Sequence, residues 1–149
     1  MLSATTEFIV FLIDDDPAIL KALGRLLRAA GYQTKAYQSA EVFLNEHDAS
    51  IPGCAVLDHA MPGLSGLDVQ EALALQGIHR PLIFLTGRGT IAESVKAMKA
   101  GAVDYLTKPV HKIALLNAIR SAEERDKTQR SVEARNKAVQ QKLAKLTRR

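Results

Sequence analysis

Five short apolar runs alternate with five segments of helical periodicity, and this alternation constrains the fold more than any other feature of the sequence. The first run, Phe8 to Ile13, is continuous and partly β-branched, as in a strand that is buried on both faces. Strands that alternate with helices form a parallel sheet with helices on both sides. The sequence therefore predicts an α/β domain with a doubly wound sheet of five strands.

Capping residues indicate where several of the helices begin and end. Asp16 followed by Pro17 is typical of an N-cap with proline at the first helical position, and Gly31 is suited to end that helix. Ser39 is a suitable N-cap for the second helix. The other elements are expected from apolar spacing: strands at 32–37, 54–57, 81–86 and 102–107, a helix from about Leu67 to Leu75, a helix with Ile91, Val95 and Met98 on one face, and a helix that begins with Ile113, Leu116 and Ile119.

Polar side chains stand where four of these strands end. The first strand is followed by Asp14 and Asp15, and the third ends in Asp58. The fourth ends in Thr86, and Lys108 follows the fifth. Ligands of open parallel sheets bind beyond the carboxyl ends of the strands. We therefore expect three carboxylates, a hydroxyl and an ammonium group to converge at one edge of the sheet.

Such a cluster of carboxylates needs a cation. Two carboxylates about 4 Å apart repel each other by roughly 4 kcal/mol at an effective dielectric constant near 20, unless one is protonated or a cation neutralises them. Mg²⁺ fits, because it binds one or two carboxylates and completes its octahedron with water and phosphate oxygens. With Lys108 as a second positive charge, the arrangement suits phosphoryl transfer onto a carboxylate. A general base is not needed, because aspartate is already an anion.

The net charge of +4 is concentrated in the C-terminal segment. Residues 120–149 contain ten Lys or Arg and four Asp or Glu, a balance of +6, whereas the other 119 residues have a balance of −2. A basic segment can bind nucleic acid, but this one lacks interleaved aromatic residues. A solvated helix face explains the charge equally well.

The remaining composition narrows the class of protein. No apolar run approaches the roughly 20 residues of a membrane span, and the run after Glu7 is too short for a signal peptide. Cys54 is the single cysteine and lies in an apolar run, so we expect a buried thiol in a cytoplasmic protein. The four histidines show no metal-ligand spacing and are expected at surface or loop positions: His47, His59, His79 and His111.

The segment 121–149 contains neither Gly nor Pro and favours a continued helix. We therefore predict a globular domain at 1–120 and a helical extension at 121–149. The apolar residues of the extension follow a heptad spacing that polar residues interrupt, so a weak coiled coil and a solvated helix remain alternatives. One heptad position holds Ala118, Val132, Val139 and Leu146, another holds Leu115, Ala122 and Leu143, and the interruptions are Arg125, Gln129 and Asn136.

Four motifs in the right order resemble the receiver domain of bacterial two-component response regulators over about residues 8–120. The family has a flavodoxin-like sheet with strand order 2-1-3-4-5, and a histidine kinase phosphorylates it. A shift of the fourth helix, fifth strand and fifth helix then forms the output, which implies a signalling switch rather than an enzyme. The motifs are Ile13-Asp-Asp-Asp16, Val56-Leu-Asp-His-Ala-Met-Pro-Gly63, Leu85-Thr-Gly87 and Ala97-Met-Lys-Ala-Gly-Ala-Val-Asp-Tyr-Leu-Thr-Lys-Pro109.

The resemblance implies a role for each residue at the predicted edge. Asp58 would be the phosphoacceptor. Asp15 would be a direct Mg²⁺ ligand, Asp14 would act through water, and the backbone carbonyl of Ala60 would complete the protein ligands. Asp16 would cap the helix.

The same resemblance identifies the groups around the phosphoryl oxygens. Lys108 would contact these oxygens, and its peptide bond to Pro109 would be cis. Thr86 would hydrogen-bond the phosphoryl group, and Tyr105 would respond by changing rotamer. Two further positions, Ala60 and Arg88, would tune the rate of hydrolysis, and these residue types favour a slowly hydrolysing phosphoprotein.

The end of the chain resembles regulators with a LuxR-type helix-turn-helix output domain. Leu146-Thr-Arg-Arg149 resembles the first residues of such a domain. The sequences of Phe84 to Gly87 and of Met98 to Asp104 also resemble those of regulators of this type. We therefore expect a receiver and linker from a longer transcription factor, with DNA binding in a part that this chain does not contain. A homodimer is expected through the fourth helix, fifth strand and fifth helix, through the C-terminal helix, or through both.

Two other classes of protein compete with this interpretation. Haloacid-dehalogenase-like phosphatases also phosphorylate an aspartate, but they carry Asp-x-Asp, whereas His59-Ala-Met61 follows Asp58 here. A pure interaction module with a vestigial pocket is the second alternative. Each residue has an ordinary explanation when it is taken alone, since Asp14 to Asp16 could start a helix and Lys108 could be exposed. The convergence of all of them favours a working site.

Overall fold

The computed structural model describes residues 8–88 and 90–147, and it contains one parallel sheet flanked by helices. The strand order is β2-β1-β3-β4-β5, and every neighbouring pair is parallel. The predicted strand order and the predicted doubly wound class are both confirmed. The strands are β1 (Ile9–Ile13), β2 (Gln33–Tyr37), β3 (Gly53–Asp58), β4 (Leu82–Thr86) and β5 (Asp104–Thr107), and the helices are α1 (Pro17–Ala29), α2 (Ala40–Glu46), α3 (Gly66–Leu75), α4 (Ile91–Lys99) and α5 (Lys112–Thr147).

The sheet separates two apolar layers. Successive side chains of a strand point to opposite faces, so Phe11 packs in one layer while Leu12 packs in the other. Phe43 and Phe84 fill the first layer, and Leu115 from α5 is buried in the second. All six residues of β3 are buried, as expected of the central strand of a covered parallel sheet.

The predicted helix caps are confirmed. The Asp16 side chain accepts a hydrogen bond from the backbone N–H of Ala18 at 2.9 Å, and Pro17 occupies the first turn of α1. Gly31 follows the end of this helix with φ at 95°, a conformation that side chains disfavour. The Ser39 hydroxyl accepts from two backbone N–H groups at the start of α2.

The apolar face that we predicted on α4 is on the surface rather than in the core. Ile91 is 84% exposed, and Val95 and Met98 are each 44% exposed. Ala97, on another side of the helix, is the residue of α4 that is completely buried. The spacing therefore predicted the helix correctly, but a small residue faces the sheet. Ile113 at the start of α5 is also exposed.

All four histidines lie in loops, as expected from the sequence, but two of them are not on the surface. His79 and His111 are exposed, as expected. His59 is buried, and His47 is half-buried with its ring packed against those of Phe11 and Phe43. Cys54 is buried, as expected.

Helix α5 crosses residue 120 without interruption and has 36 residues. Its first part contributes Ala118, Ile119 and Ala122 to the core, and Asp126 is also buried. Residues 131–146 are exposed, including Val139. The extended helix is thus confirmed as far as residue 147, whereas Arg148 and Arg149 lie outside the described residues. No described helix is long and apolar enough to span a membrane.

Candidate functional site

The strand register brings the predicted polar residues to one edge of the sheet. Ile13 of β1 pairs with Leu57 of β3, so Asp14 and Asp58 follow at the same level. Thr86 of β4 pairs with Thr107 of β5, and Lys108 is the next residue. Residues from distant parts of the chain therefore meet beyond the carboxyl ends of β1, β3, β4 and β5, where open parallel sheets bind ligands. This carboxyl edge is the candidate site.

Three carboxylates lie close together at the carboxyl edge. Asp14, Asp15 and Asp58 each offer an oxygen, and these oxygens lie within 4.8 Å of one another. Asp14 is 3% exposed and Asp58 is 8% exposed, whereas Asp15 is open to solvent. Carboxylates at such distances repel one another, and the repulsion is strongest where burial excludes water.

Lys108 supplies one positive charge to this cluster. Its ammonium nitrogen donates to Asp14 Oδ2 at 2.9 Å and lies 3.6 Å from Asp58 Oδ1. Burial tends to lower the pKa of Lys108, but the hydrogen bond and charge of Asp14 raise it overall, with a further contribution from Asp58. The lysine is therefore held in its charged form between two carboxylates.

Asp58 is buried and only partly neutralised. Burial raises its pKa, and the charge of Asp14 adds to this, against the opposing effects of Lys108 and of the Ala60 backbone N–H. That N–H donates to Asp58 Oδ1 at 3.3 Å. One ammonium group faces three carboxylates, so the edge has an excess of negative charge. The all-oxygen donor set and this excess fit a hard divalent cation such as Mg²⁺.

Thr86 and Tyr105 lie on the β5 side of the cluster. Thr86 is buried, and its hydroxyl accepts from the Arg88 backbone N–H at 3.1 Å. The Tyr105 hydroxyl is buried and makes no hydrogen bond of ordinary length to the described residues. Burial and then the charge of Glu93 raise the pKa of Tyr105, against an opposing effect of the nearby Thr86 hydroxyl.

Three other predicted residues are placed as follows. The Lys108–Pro109 peptide bond is cis, in agreement with the expectation. Ala60 and Arg88 are both exposed at the mouth of the site, in the loops after β3 and β4. Their positions allow access to solvent near Asp58 and Thr86.

One pair of residues near the site was missed from the sequence. His59 Nε2 lies 3.0 Å from Glu93 Oε2, and this hydrogen bond holds the pKa of Glu93 below its usual value. Two signals could have revealed the pair. His59 directly follows Asp58, and Thr90-x-x-Glu93 is a capping box that places Glu93 in the first turn of α4.

Comparison with known proteins identifies the family. The sequence model of the response regulator receiver domain matches residues 10–120. The chain therefore belongs to the response regulator receiver family, and the resemblance drawn from the motifs is confirmed.

The similar proteins are response regulators. The chain is 43% identical over 141 residues to response regulator protein TodT of Pseudomonas putida, a match that covers 95% of this chain and 62% of the relative. It is 38% identical to transcriptional regulatory protein FixJ of Azorhizobium caulinodans, and this match covers 94% of this chain and 66% of the relative. The chain thus spans less than two thirds of these relatives.

Solved structures agree with the fold. The structure of response regulator StyR superposes with a TM-score of 0.89 at 36% identity, covering 96% of this chain and 72% of that one. The structure of FixJ-N superposes with a TM-score of 0.75, also at 36% identity, covering 80% of this chain and 96% of that one. Both matches include the five-stranded sheet that forms the carboxyl edge.

Proposed function

We propose that the chain is a phosphorylation-dependent switch in which Asp58 accepts a phosphoryl group from a sensor histidine kinase. One observation carries this proposal. Asp58 is a nearly buried carboxylate at the end of the central strand, grouped with two other carboxylates and 3.6 Å from the Lys108 ammonium. A nucleophilic carboxylate with a positive charge beside it is suited to phosphoryl transfer, in which positioning and charge neutralisation dominate catalysis.

The transfer step follows from this placement. An oxygen of Asp58 attacks the phosphorus of a phosphohistidine, a P–O bond forms, and the P–N bond breaks as the imidazole leaves. Lys108 contacts the phosphoryl oxygens while Asp14, at 2.9 Å, holds the ammonium in place. Asp14, Asp15, Asp58 and the Ala60 carbonyl would hold Mg²⁺, which when bound would neutralise charge on the carboxylates and the phosphoryl oxygens. This is the chemistry of a receiver rather than of an enzyme with turnover.

The switch would act through Thr86 and Tyr105. The Thr86 hydroxyl, which accepts from Arg88 in this structure, would donate to a phosphoryl oxygen on Asp58. Tyr105 would change rotamer in response and alter the surface formed by α4, β5 and α5. The exposed apolar face of α4 supports a homodimer through this surface. The exposed heptad residues of α5, Val132, Val139, Leu143 and Leu146, support a contribution from the C-terminal helix.

The switch is proposed to be part of a cytoplasmic transcription regulator. Residues 1–120 would form the receiver, and 121–149 would be a helical linker to an output domain that binds DNA. The longer relatives, one of them called a transcriptional regulatory protein, support this organisation. Ala60 and Arg88 would set a slow rate of hydrolysis, so Arg88→Ala is expected to shorten the lifetime of the phosphorylated protein.

The direct test is the intact mass of the chain after incubation with acetyl phosphate and Mg²⁺. We expect a gain of about 80 Da, one phosphoryl group, that requires Mg²⁺ and is lost in EDTA. Asp58→Asn is the matched variant, because it keeps the shape of the side chain but removes the nucleophilic carboxylate. It should show no gain.

Other results would contradict the proposal. A gain of equal size in Asp58→Asn would place the phosphoryl group elsewhere. No gain in the native chain, together with no binding of beryllofluoride, would favour an interaction module with a vestigial pocket.

A further inference from the structure

The loop after the phosphoacceptor is hydrogen-bonded to the first turn of α4. His59 is 7% exposed, and its Nε2 lies 3.0 Å from Glu93 Oε2. Because a carboxylate can only accept, His59 donates through Nε2. Glu93 also accepts from the Thr90 backbone N–H with its other oxygen at 3.3 Å, as part of the capping box of α4. One carboxylate therefore joins the start of α4 both to its own cap and to the residue after Asp58.

The His59 end of this bond is fixed to the body of the domain. The His59 backbone N–H donates to Leu85 O at 3.0 Å, and its carbonyl accepts from the Gly66 N–H at 2.9 Å. The ring also packs against those of Phe84 and Tyr105, with centroids 6.3 and 5.9 Å away. The imidazole thus cannot follow a movement of α4 without losing these contacts.

The Glu93 end lies on an element that the switch would move. Thr86 ends β4 and Ile91 begins α4, so only residues 87–90 separate the proposed phosphoryl contact from the helix. If the Thr86 hydroxyl turns toward a phosphoryl group on Asp58, its bond with the Arg88 N–H is lost and the short connection shifts. The first turn of α4, including Glu93, is attached directly to that connection.

We propose that His59 and Glu93 form a latch that holds the first turn of α4 in its unphosphorylated position. Both are positioning residues, since they act through α4 rather than on the phosphoryl group. The latch opposes the phosphorylated arrangement, so breaking it shifts the population of the unmodified chain toward that arrangement. This inference rests on the proposed function of Asp58.

The test is the affinity for beryllofluoride in the presence of Mg²⁺, measured by calorimetry on the whole chain. His59→Phe removes the donor but keeps an aromatic ring and the capping box. We expect it to bind beryllofluoride about three- to tenfold more tightly, the effect of one hydrogen bond on the population. Glu93→Ala should produce a similar gain. The double variant should gain no more than either single variant, because the two residues act through one bond.

Glu93→Gln is the matched control, because its amide oxygen can keep the bond from the Thr90 N–H while its NH2 group donates to Nε2 of the other imidazole tautomer of His59. Its affinity for beryllofluoride should stay within about twofold of the native value, because the hydrogen bond is kept. If the negative charge of Glu93 mattered instead of the hydrogen bond, the affinity of this variant would change as much as that of Glu93→Ala. Thermal unfolding of each variant checks that the fold is intact.

Two outcomes separate the latch from the site itself. Unchanged or weaker beryllofluoride binding by His59→Phe would overturn the latch, and so would additive effects in the double variant. In either case, binding by the native chain would leave the proposed role of Asp58 intact. A native chain that does not bind beryllofluoride would overturn both.

Discussion

The two edges of the sheet both bury charged groups, but the charges are unbalanced at one edge and paired at the other. The carboxyl edge gathers three carboxylates around one ammonium group, with an excess of negative charge. The opposite edge, where β3 and β4 begin, gathers two arginines and surrounds them with acceptors. Buried charge is costly unless it is paired and hydrogen-bonded, so the pairing at each edge indicates what that edge does.

Arg80 is the buried centre of the opposite edge. Its guanidinium donates to the backbone carbonyls of Asp48, Ile51 and Gly53 at 2.8 to 3.0 Å. Burial lowers its pKa to about 10, so it stays charged at neutral pH. Its Nε makes no hydrogen bond to the described residues, whereas both terminal nitrogens do.

Arg130 completes this network from helix α5. It donates to the carbonyls of Ala49, Ser50 and Ile51 and pairs with the buried Asp126 at 3.0 Å. Two arginines thus bind one loop, and α5 is fixed to the domain at this point. The two arginines, hydrogen-bonded through their terminal nitrogens, form a structural network, whereas the unbalanced carboxylates form the edge where we propose that a ligand binds.

The largest effect is expected where the structural network loses its centre. Arg80→Met keeps much of the volume but removes a buried guanidinium that donates to three carbonyls, of which the buried Gly53 carbonyl loses its side-chain donor. We expect the free energy of unfolding to fall by about 3 kcal/mol, measured by urea denaturation. Arg135→Met, on the exposed part of α5, is the control and should change it by less than about 0.5 kcal/mol. Similar small losses in both would show that the network contributes little.

The second prediction concerns the protonation of His47, which lies near the same edge, and its effect on stability. Burial, and then the charge of Arg80, lowers the pKa of His47 to about 4 from 6.5. The unfolded chain therefore binds the proton more readily, and stability falls as the pH decreases from about 6.5 toward 4. Since the residue as a whole is only partly buried, although both ring nitrogens are enclosed, we expect about 1 to 2 kcal/mol rather than the full value of the shift.

The His47→Phe variant isolates this proton. Urea denaturation across this pH range should show a native-minus-variant difference that is constant above pH 7 and changes below 6.5. A difference independent of pH would contradict the assignment to His47.

A smaller effect, stabilisation by Mg²⁺, should depend on the carboxyl edge and not on the opposite edge. Mg²⁺ at ten times its Kd should raise the free energy of unfolding by about 1.4 kcal/mol, because it binds only the folded chain. Asp15→Asn should weaken this effect, whereas Asp126→Asn should leave it intact. A calorimetric titration with each variant checks both. If Mg²⁺ stabilised Asp15→Asn and Asp126→Asn equally, it would not bind specifically at the carboxyl edge.

Most of the carboxyl edge could be predicted because it depends on chain order alone. Once the strands are parallel, Asp14, Asp58, Thr86 and Lys108 must fall at the same edge, wherever the helices pack. The latch and the arginine network could not be predicted in this way. They depend on pairs such as His59 with Glu93 or Arg130 with Ser50, which are separated by 34 and 80 residues and follow no local pattern.

The direction in which α4 faces escaped prediction for a different reason. A helix with apolar residues at Ile91, Val95 and Met98 satisfies the pattern of a core-facing helix. The structure instead buries Ala97, which has little weight in such a pattern. Periodicity thus detected an apolar surface but could not say whether the domain itself covers it.

The central claim is that one edge holds an excess of negative charge for a ligand while the charges at the other are paired in a structural network, and two matched variants test it. Asp58→Asn and Asp126→Asn each replace a buried carboxylate by an amide of the same shape. The measurement is the free energy of unfolding at pH 7 in EDTA, by urea denaturation.

Because burial raises the pKa of Asp58, its charged form disfavours the folded state at neutral pH, and Asp58→Asn should be more stable than the native chain. Asp126→Asn removes the partner charge of Arg130 and should be less stable by about 1 to 2 kcal/mol. Opposite signs would support the account. Destabilisation of both variants would contradict it, since Asp58 would then belong to a satisfied structural network like that of Asp126.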